Sequence, residues 1–312
     1  MTIARAVELA RQAGGRAYPK PTVGAVVVRD GEIVGEGATE HGGRHGEVVA
    51  LDAAGELARD ATLYVSMEPC AHWGTTPPCT ERVLAAGISR VVAGSLDPNR
   101  EAAGGLEALR EAGVDVELVD SFEARAQNEA WRTWVSLRRP FVTYKVAVTL
   151  DGSVTVPGEK WVSGEVSRRY VHELRAASDA VAVGMGTVRA DAPRLDARDV
   201  PTPRGQPRRL AFGRGPLPEG STLELRTGPI AEELATLAEE GVQSLLLEGG
   251  PTLAGAFLDA DLVDKLLVFV APTLAGNGGS FASRLASPRH LARLSTRMVG
   301  EDALLEAYVH EP

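Results

Sequence analysis

The chain has 312 residues and only two cysteines, both in one stretch, EPCAHWGTTPPC, where Cys70 and Cys79 each follow a proline. A pair this close and this isolated reads either as two buried free thiols or as metal chemistry. In a reducing compartment a structural disulfide is the weaker reading. A third ligand type lies upstream, in HGGRHGEVVALDAAGEL, where His45, Gly46 and Glu47 open a predicted helix. His45, Cys70 and Cys79 make three protein ligands, the number that catalytic zinc takes when its fourth position is left for water. Two thiolates and a neutral imidazole leave such a centre near zero net charge, and the ion still draws the pKa of a water toward neutrality. Glu47 sits two residues beyond His45 and cannot share its direction on a helix. It is placed instead to carry a proton. His72 lies in the pinned loop between the cysteines, where it suits either a substrate contact or a fourth ligand that would close the site. His41 reads as a surface loop residue.

The order H-x-E followed by P-C is similar to the zinc deaminase signature, with eight residues between the cysteines in place of two. PTVGAVVV lies upstream of it, and LDPNR and GLEALREAGVDV lie downstream. With these, residues 1–140 resemble the deaminase half of the bifunctional riboflavin-biosynthesis deaminase–reductase family. The resemblance implies one zinc per chain on His45, Cys70 and Cys79, with Glu47 catalytic. It also implies substrate contacts at Lys20 and His72. Lys20 stands where the family carries an asparagine, and Thr75 where it carries an arginine.

The second half has no G-x-G-x-x-G; GMGTVR is a partial match. EGGPTLAG is a glycine turn into a predicted helix, whose free N–H groups suit a phosphate, although a plain strand–helix turn reads the same way. YKVAVTLDG, SDAVAVGMGTVRADAPRL, LLLEGGPTLAGAFL and LVDKLLVFVAPTLAG resemble the reductase half of the same family. That resemblance implies NADPH contacts at Ala147, Trp161, Thr187 and Asp191, and along Gly250, Pro251, Thr252, Leu253, Ala254, Gly255 and Ala256. Substrate contacts are implied at Lys145, Leu195, Arg198 and Glu248, and Arg214 falls near a further cofactor position. The chain is shorter than the family between RRLAFGRG and PIAEELATLAEEG, where a strand on the nucleotide side is expected to be lost. The loop before Trp161 is also short.

The elements that must position these residues alternate. An amphipathic helix at 2–14 leads to a hairpin turning at Asp30-Gly31. Then come helix EVVALDAAGELA, strand ATLYVSM, helix TERVLAAG closed by Gly87, strand ISRVVAGS, helix GLEALREAG and strand VDVELV. One long helix, SFEARAQNEAWRTWVSL, runs to a boundary at Arg138-Arg139-Pro140. Beyond it are strands FVTYKVAVTLDG and SDAVAVG, a proline- and arginine-rich loop at 189–209, helix PIAEELATLAEEG, strand VQSLLLEGG, helix TLAGAFLDA and strand DKLLVFVAP. No repeat is present. Both halves read as three-layer α/β domains. The family implies a cytidine-deaminase-like three-layer fold for 1–140 and a dihydrofolate-reductase-like fold for 141–312.

With 33 Lys+Arg against 42 Asp+Glu the net charge is -9, a poor match for nucleic acid. The N-terminus lacks the apolar core of a secretion signal and no run is long enough to span a bilayer, so a cytoplasmic location is expected. The family resemblance implies deamination of a pyrimidine ribose-phosphate followed by NADPH reduction of its ribosyl group, and a homodimer or higher homo-oligomer is expected. Two alternatives are a deaminase of tRNA or nucleosides, and a deaminase whose second half only binds substrate or dimerises.

Overall fold

The computed structural model describes residues 2–14, 17–74, 77–276, 279–281 and 285–312; Thr75 lies outside them. The chain divides into two compact units, 1–137 and 138–311.

The first unit runs α1 (Thr2–Ala13), β1 (Gly24–Arg29), β2 (Glu32–Ala38), α2 (Gly46–Ala54), β3 (Thr62–Val65), α3 (Cys79–Ala85), β4 (Arg90–Ala93), α4 (Gly105–Glu111), β5 (Asp115–Leu118), α5 (Phe122–Ala126) and α6 (Glu129–Leu137). Its sheet has the order β2-β1-β3-β4-β5, with β3, β4 and β5 parallel. The hairpin turns as expected: Asp30 and Gly31 both take positive φ, 52° and 84°, which lets a two-residue turn follow the strand twist. Glycines set how closely the helices approach. A side-chain carbon on Gly24 would lie 2.0 Å from the Ala6 carbonyl of α1, and one on Gly37 would lie 2.5 Å from the Ala50 nitrogen of α2. Gly37 pairs with Ala25, the neighbour of Gly24, so α1 and α2 lie on opposite faces and the unit has three layers. Its core includes Val27, Leu51, Leu63, Val65, Val83 and Leu109.

The expected helix from Ser121 to Leu137 is two helices. The chain breaks at Gln127–Asn128, where the buried Asn128 amide reaches across the unit. Its Oδ1 accepts from Thr22 N at 3.0 Å, and its Nδ2 donates to the Thr22 carbonyl at 2.9 Å. Periodicity along one helix cannot register a side chain taken up by a partner 106 residues away.

The second unit runs β6 (Phe141–Thr149), α7 (Glu165–Ala177), β7 (Ala180–Gly184), α8 (Met185–Asp191), β8 (Arg208–Phe212), β9 (Glu224–Arg226), α9 (Ile230–Glu239), β10 (Ser244–Leu247), α10 (Pro251–Asp259), β11 (Lys265–Ala271), β12 (Ala292–Val299) and β13 (Asp302–Tyr308). The sheet order is β12-β13-β11-β6-β10-β7-β8-β9, parallel from β11 through β9. Along β6, Val142, Tyr144, Val146 and Val148 pack with α9 and α10 through Leu234, Phe257 and others. Ala147 and Phe269 pack on the other side against Val171 and Leu174 of α7. The edge strand expected to be lost is present in short form. Strand β9 pairs with β8, and Glu224 accepts from both Arg208 Nε and Nη2, at 3.1 and 2.5 Å. Ion pairs of Arg226 with Glu240 and Glu233 extend the brace. Five elements, α7, α8, β8, β12 and β13, have no counterpart among the expected ones.

The second unit begins on a buried ion pair. Arg139 donates to both oxygens of Asp264 at 2.7 Å, and Asp264 also accepts from Val142 N at 2.8 Å. Their side chains are 12% and 3% exposed. Replacing Arg139 by Met strands a buried carboxylate and should cost about 3–5 kcal/mol, seen as a lower denaturation midpoint. Adding Asp264→Asn, which keeps the acceptor for Val142 N–H, should restore much of the loss. Equal stability of wild type and Arg139→Met would refute this.

Candidate active sites

In the first unit three elements converge at the C-terminal ends of β3 and β4. His45 precedes α2 in extended conformation (φ -76°, ψ 148°), while Glu47 lies in the first helical turn, so the two side chains diverge. Gly46 is required between them, because a side-chain carbon there would sit 2.3 Å from the Val23 carbonyl. Cys79 is the first residue of α3. The loop after β3 is tied to this helix start: Cys70 Sγ accepts from Cys79 N at 3.3 Å, and the Cys70 carbonyl accepts from Thr80 N at 3.3 Å. Glu68 fixes the same loop from below. Its buried carboxylate accepts from Leu106 N (3.0 Å) at the start of α4 and from Asp97 N (3.2 Å) after β4.

The ligand atoms of His45, Cys70 and Cys79 all lie within 4.8 Å of one another. His45 Nδ1 is 3.1 Å from Cys79 Sγ and 3.7 Å from Cys70 Sγ. Bond lengths of zinc to nitrogen and sulfur give tetrahedral edges of about 3.5–3.8 Å, so the donor set fits zinc. His72 is not in the group, which leaves the three-ligand, open-position arrangement among the described residues. The hydrogen bond from Cys79 lowers Cys70 to about 4, helped by His45 and the Cys79 N–H, and Cys79 is raised in turn. Glu47 is 2% exposed, and its Oε2 is buried with no hydrogen-bond partner in the protein. Burial pushes its carboxyl up, against the charge of His45.

His45, Glu47 and Cys70 open onto a cavity of about 210 Å³, lined also by Lys20, His72, Asp97 and Asn99. His72 Nδ1 is buried without a protein partner. Lys20 and His72 thus stand beside the metal cluster, as expected, while His41 is exposed in a turn. Asp97 and Asn99 were not among the expected contacts. Asp97 is raised to about 6, chiefly by burial. Their signal was LDPNR, where a carboxylate follows a buried strand.

In the second unit Thr187 follows β7, and Glu248 and Gly250 follow β10, at the C-terminal edge of the parallel strands where open α/β sheets bind ligands. Gly250 caps α10 and Pro251 holds its first position. A side-chain carbon on Gly250 would lie 3.8 Å from Thr187 Oγ1, so the starts of α10 and α8 lie side by side. Free N–H groups at a helix start suit a phosphate. Ala254 and Gly255 are buried, so only Gly250 to Leu253 and Ala256 of the segment reach the surface. Asp191 and Trp161 are exposed; Lys160 and Arg168 flank the Trp161 ring at 5.1 and 5.5 Å. Leu195 is 3% exposed and packs in the core with φ 56°, so its main chain alone is available to a ligand.

Glu248 is held by a residue absent from the expected set. Arg175 of α7 donates to both its oxygens, at 2.6 and 2.9 Å, and to the Asp196 carbonyl at 3.2 Å. Burial opposes ionisation of Glu248, but Arg175 together with the charge of Lys145 lowers its pKa. Lys145 lies half-buried on β6. Its ammonium lies 5.7 Å from the Phe269 ring centroid, and burial lowers its pKa. Arg198 bonds Asp196 at 2.9 Å, and its N–H donates to His172 Nδ1 at 3.2 Å. Gln206 grips Ala197 by both its N–H and its carbonyl.

A buried His–Cys–Cys cluster beside an unpartnered glutamate is the donor set of a zinc-dependent deaminase, here joined to a reductase domain. Residues 1–95 match the model described as cytidine and deoxycytidylate deaminase zinc-binding region, and residues 140–305 match the RibD C-terminal domain. The chain belongs to the RibD family. It is 41% identical to the riboflavin biosynthesis protein RibD of Aquifex aeolicus, over 88% of this chain and 86% of that one. Against RibD of Mycobacterium tuberculosis it is 43% identical, over 87% and 84%. The Acinetobacter baumannii RibD structure, form 1, superposes with a TM-score of 0.84 at 32% identity, covering 98% of this chain and 97% of that one. A Thermotoga maritima structure, described as a diaminohydroxyphosphoribosylaminopyrimidine deaminase and 5-amino-6-(5-phosphoribosylamino)uracil reductase, gives 0.82 at 33% identity, with the same coverage.

Metal analysis of the purified chain checks the cluster. Wild type should carry one zinc per chain, and Cys70→Ser and Cys79→Ser should each lose it. Full occupancy in both variants, or none in wild type, would contradict the assignment.

Proposed function

We infer that this chain carries out two successive steps of riboflavin biosynthesis. Residues 1–140 deaminate 2,5-diamino-6-ribosylamino-4(3H)-pyrimidinone 5′-phosphate by hydrolysis, and residues 141–312 reduce the ribosyl group of the product to ribityl with NADPH. The observation that carries the first step is the buried, unpartnered Glu47 Oε2 next to three metal-ligand side chains. Zinc on His45, Cys70 and Cys79 supplies Lewis acidity that brings a water's pKa toward neutrality. Glu47 Oε2 takes the proton of the attacking water and returns it to the amine, which leaves as ammonia as the C–N bond gives way to C–O. Cavity groups His72, Asp97 and Asn99 orient the pyrimidine.

In the second unit NADPH supplies the hydride. The Gly250–Pro251 helix start and Thr187 hold its pyrophosphate, with Ala147, Trp161 and Asp191 as further contacts. Ionised Glu248 accepts hydrogen bonds from sugar hydroxyls, Arg198 suits the phosphate, and Lys145 stands near the reacting sugar. The product of one unit is the substrate of the other, which accounts for their fusion. No helix of the described residues is long and apolar enough to cross a membrane. A cytoplasmic enzyme working as a homodimer or higher homo-oligomer is consistent with this. Edge strand β12, with Leu294 and Met298 66% and 64% exposed, is a surface that such assembly would cover.

Two measurements test the reading. Glu47→Gln should keep its zinc but lose deamination by about two to four orders of magnitude. A near-normal rate refutes the role, and loss of zinc makes Glu47 a ligand. For the second unit, NADPH titration should show saturable binding in wild type. It should be about tenfold weaker in Thr187→Ala, the scale of one lost hydrogen bond at a ligand. No saturable binding in wild type would leave the second unit a degenerate partner.

A further inference from the structure

The deaminase cavity has a buried end and an exposed rim. Glu47 and Cys70, at 2% and 8% exposure, line the buried end where the reacting ring must go. A substrate's remote end therefore lies at the rim. Lys20 is exposed and lines the same cavity, so it stands at that rim. Beside it Gly43 has no side chain. A carbon placed there would be 4.0 Å from Lys20 Nζ, so the glycine leaves room next to the ammonium.

The other charged groups facing this cavity are acidic. Glu47, Glu68 and Asp97 all line it, and among the described residues Lys20 is its one lysine or arginine. Glu68 is engaged by two backbone N–H groups and Asp97 accepts from Asn99 N at 2.8 Å, while Glu47 Oε2 has no partner in the protein. An uncompensated phosphate entering such a cavity is repelled. The backbone that carries Lys20 is also fixed. Lys20 N donates to the Ala17 carbonyl at 2.9 Å. Two residues on, Thr22 is gripped at N–H and carbonyl by Asn128 and at its hydroxyl by Gln127 Nε2 (3.2 Å).

We propose that Lys20 is the specificity-determining residue of the deaminase cavity, meeting the anionic phosphate of the substrate at the rim and so selecting phosphorylated pyrimidines over their nucleosides. The inference rests on the deaminase reading above and deepens it. A lysine whose task is to contact the ring, or to neutralise the cavity carboxylates, would act on both substrates alike.

The test compares deamination of the pyrimidine ribose-phosphate with that of the same compound after phosphatase treatment. Wild type, Lys20→Met and Lys20→Arg full-length proteins are used, with zinc content measured for each. Wild type should prefer the phosphorylated compound. Lys20→Met should raise KM for that compound by about tenfold to a hundredfold, the range for a hydrogen bond to a charged group. Its effect on KM for the dephosphorylated compound should be much smaller, and Lys20→Arg should keep most of the preference. Equal losses on both compounds, no loss on either, or a wild type that does not discriminate would overturn the proposal. A zinc-loaded wild type that deaminates neither compound would remove the deaminase reading, and this inference with it.

Discussion

Strand direction is the constraint on which both sites depend. In each unit the functional strands run parallel, so their C-terminal ends share one edge, and the residues that follow them are delivered to one place. In the first unit β3 delivers Cys70 and β4 delivers Asp97 and Asn99, while α2 and α3 bring His45, Glu47 and Cys79 to the same edge. In the second, β7 and β10 deliver the Thr187 helix and the Glu248–Pro251 turn. An antiparallel arrangement would send alternate loops to opposite edges and scatter both sets.

Direction alone places loops only to within several ångströms, and buried polar groups supply the rest. Glu68 ties the Cys70 loop to the exits of two other elements through backbone N–H groups, and Arg175 locks Glu248 with a two-pronged guanidinium pair. Two side-chain amides do similar work on neighbouring loops, Asn128 on Thr22 and Gln206 on Ala197, each satisfying both backbone groups of one residue. An irregular loop carries unpaired N–H and C=O groups, and such clamps settle them while fixing position. The cost of losing one partner is the unpaired group left behind, so these contacts favour a single arrangement of each site.

The metal cluster was legible because its signal is chemical: two cysteines in 312 residues, a histidine and glutamate at a helix start, and prolines that pin the loop. The hairpin at Asp30-Gly31 was legible because few residue pairs accept positive φ twice. What escaped was whatever depends on a distant partner. Helix α7, with Arg175 and His172, begins in a run of charged residues that masks its apolar stripe of Val171 and Leu174. Strand β12 is exposed along most of its length, so no alternation marks it. The break between α5 and α6 answers to Thr22, and the retained β9 answers to ion pairs with β8, neither of which local sequence contains. Family likeness named Leu195 as a contact, but its side chain belongs to the core.

The central claim is that one chain performs both steps in order. The most direct measurement incubates the purified protein with the diaminopyrimidine ribose-phosphate, with and without NADPH, and identifies products by mass. The account expects the deaminated, unreduced compound to accumulate without NADPH and the deaminated ribityl compound to replace it when NADPH is added. Accumulation of the deaminated ribosyl compound in both samples, or reduction of the substrate without prior deamination, would contradict it.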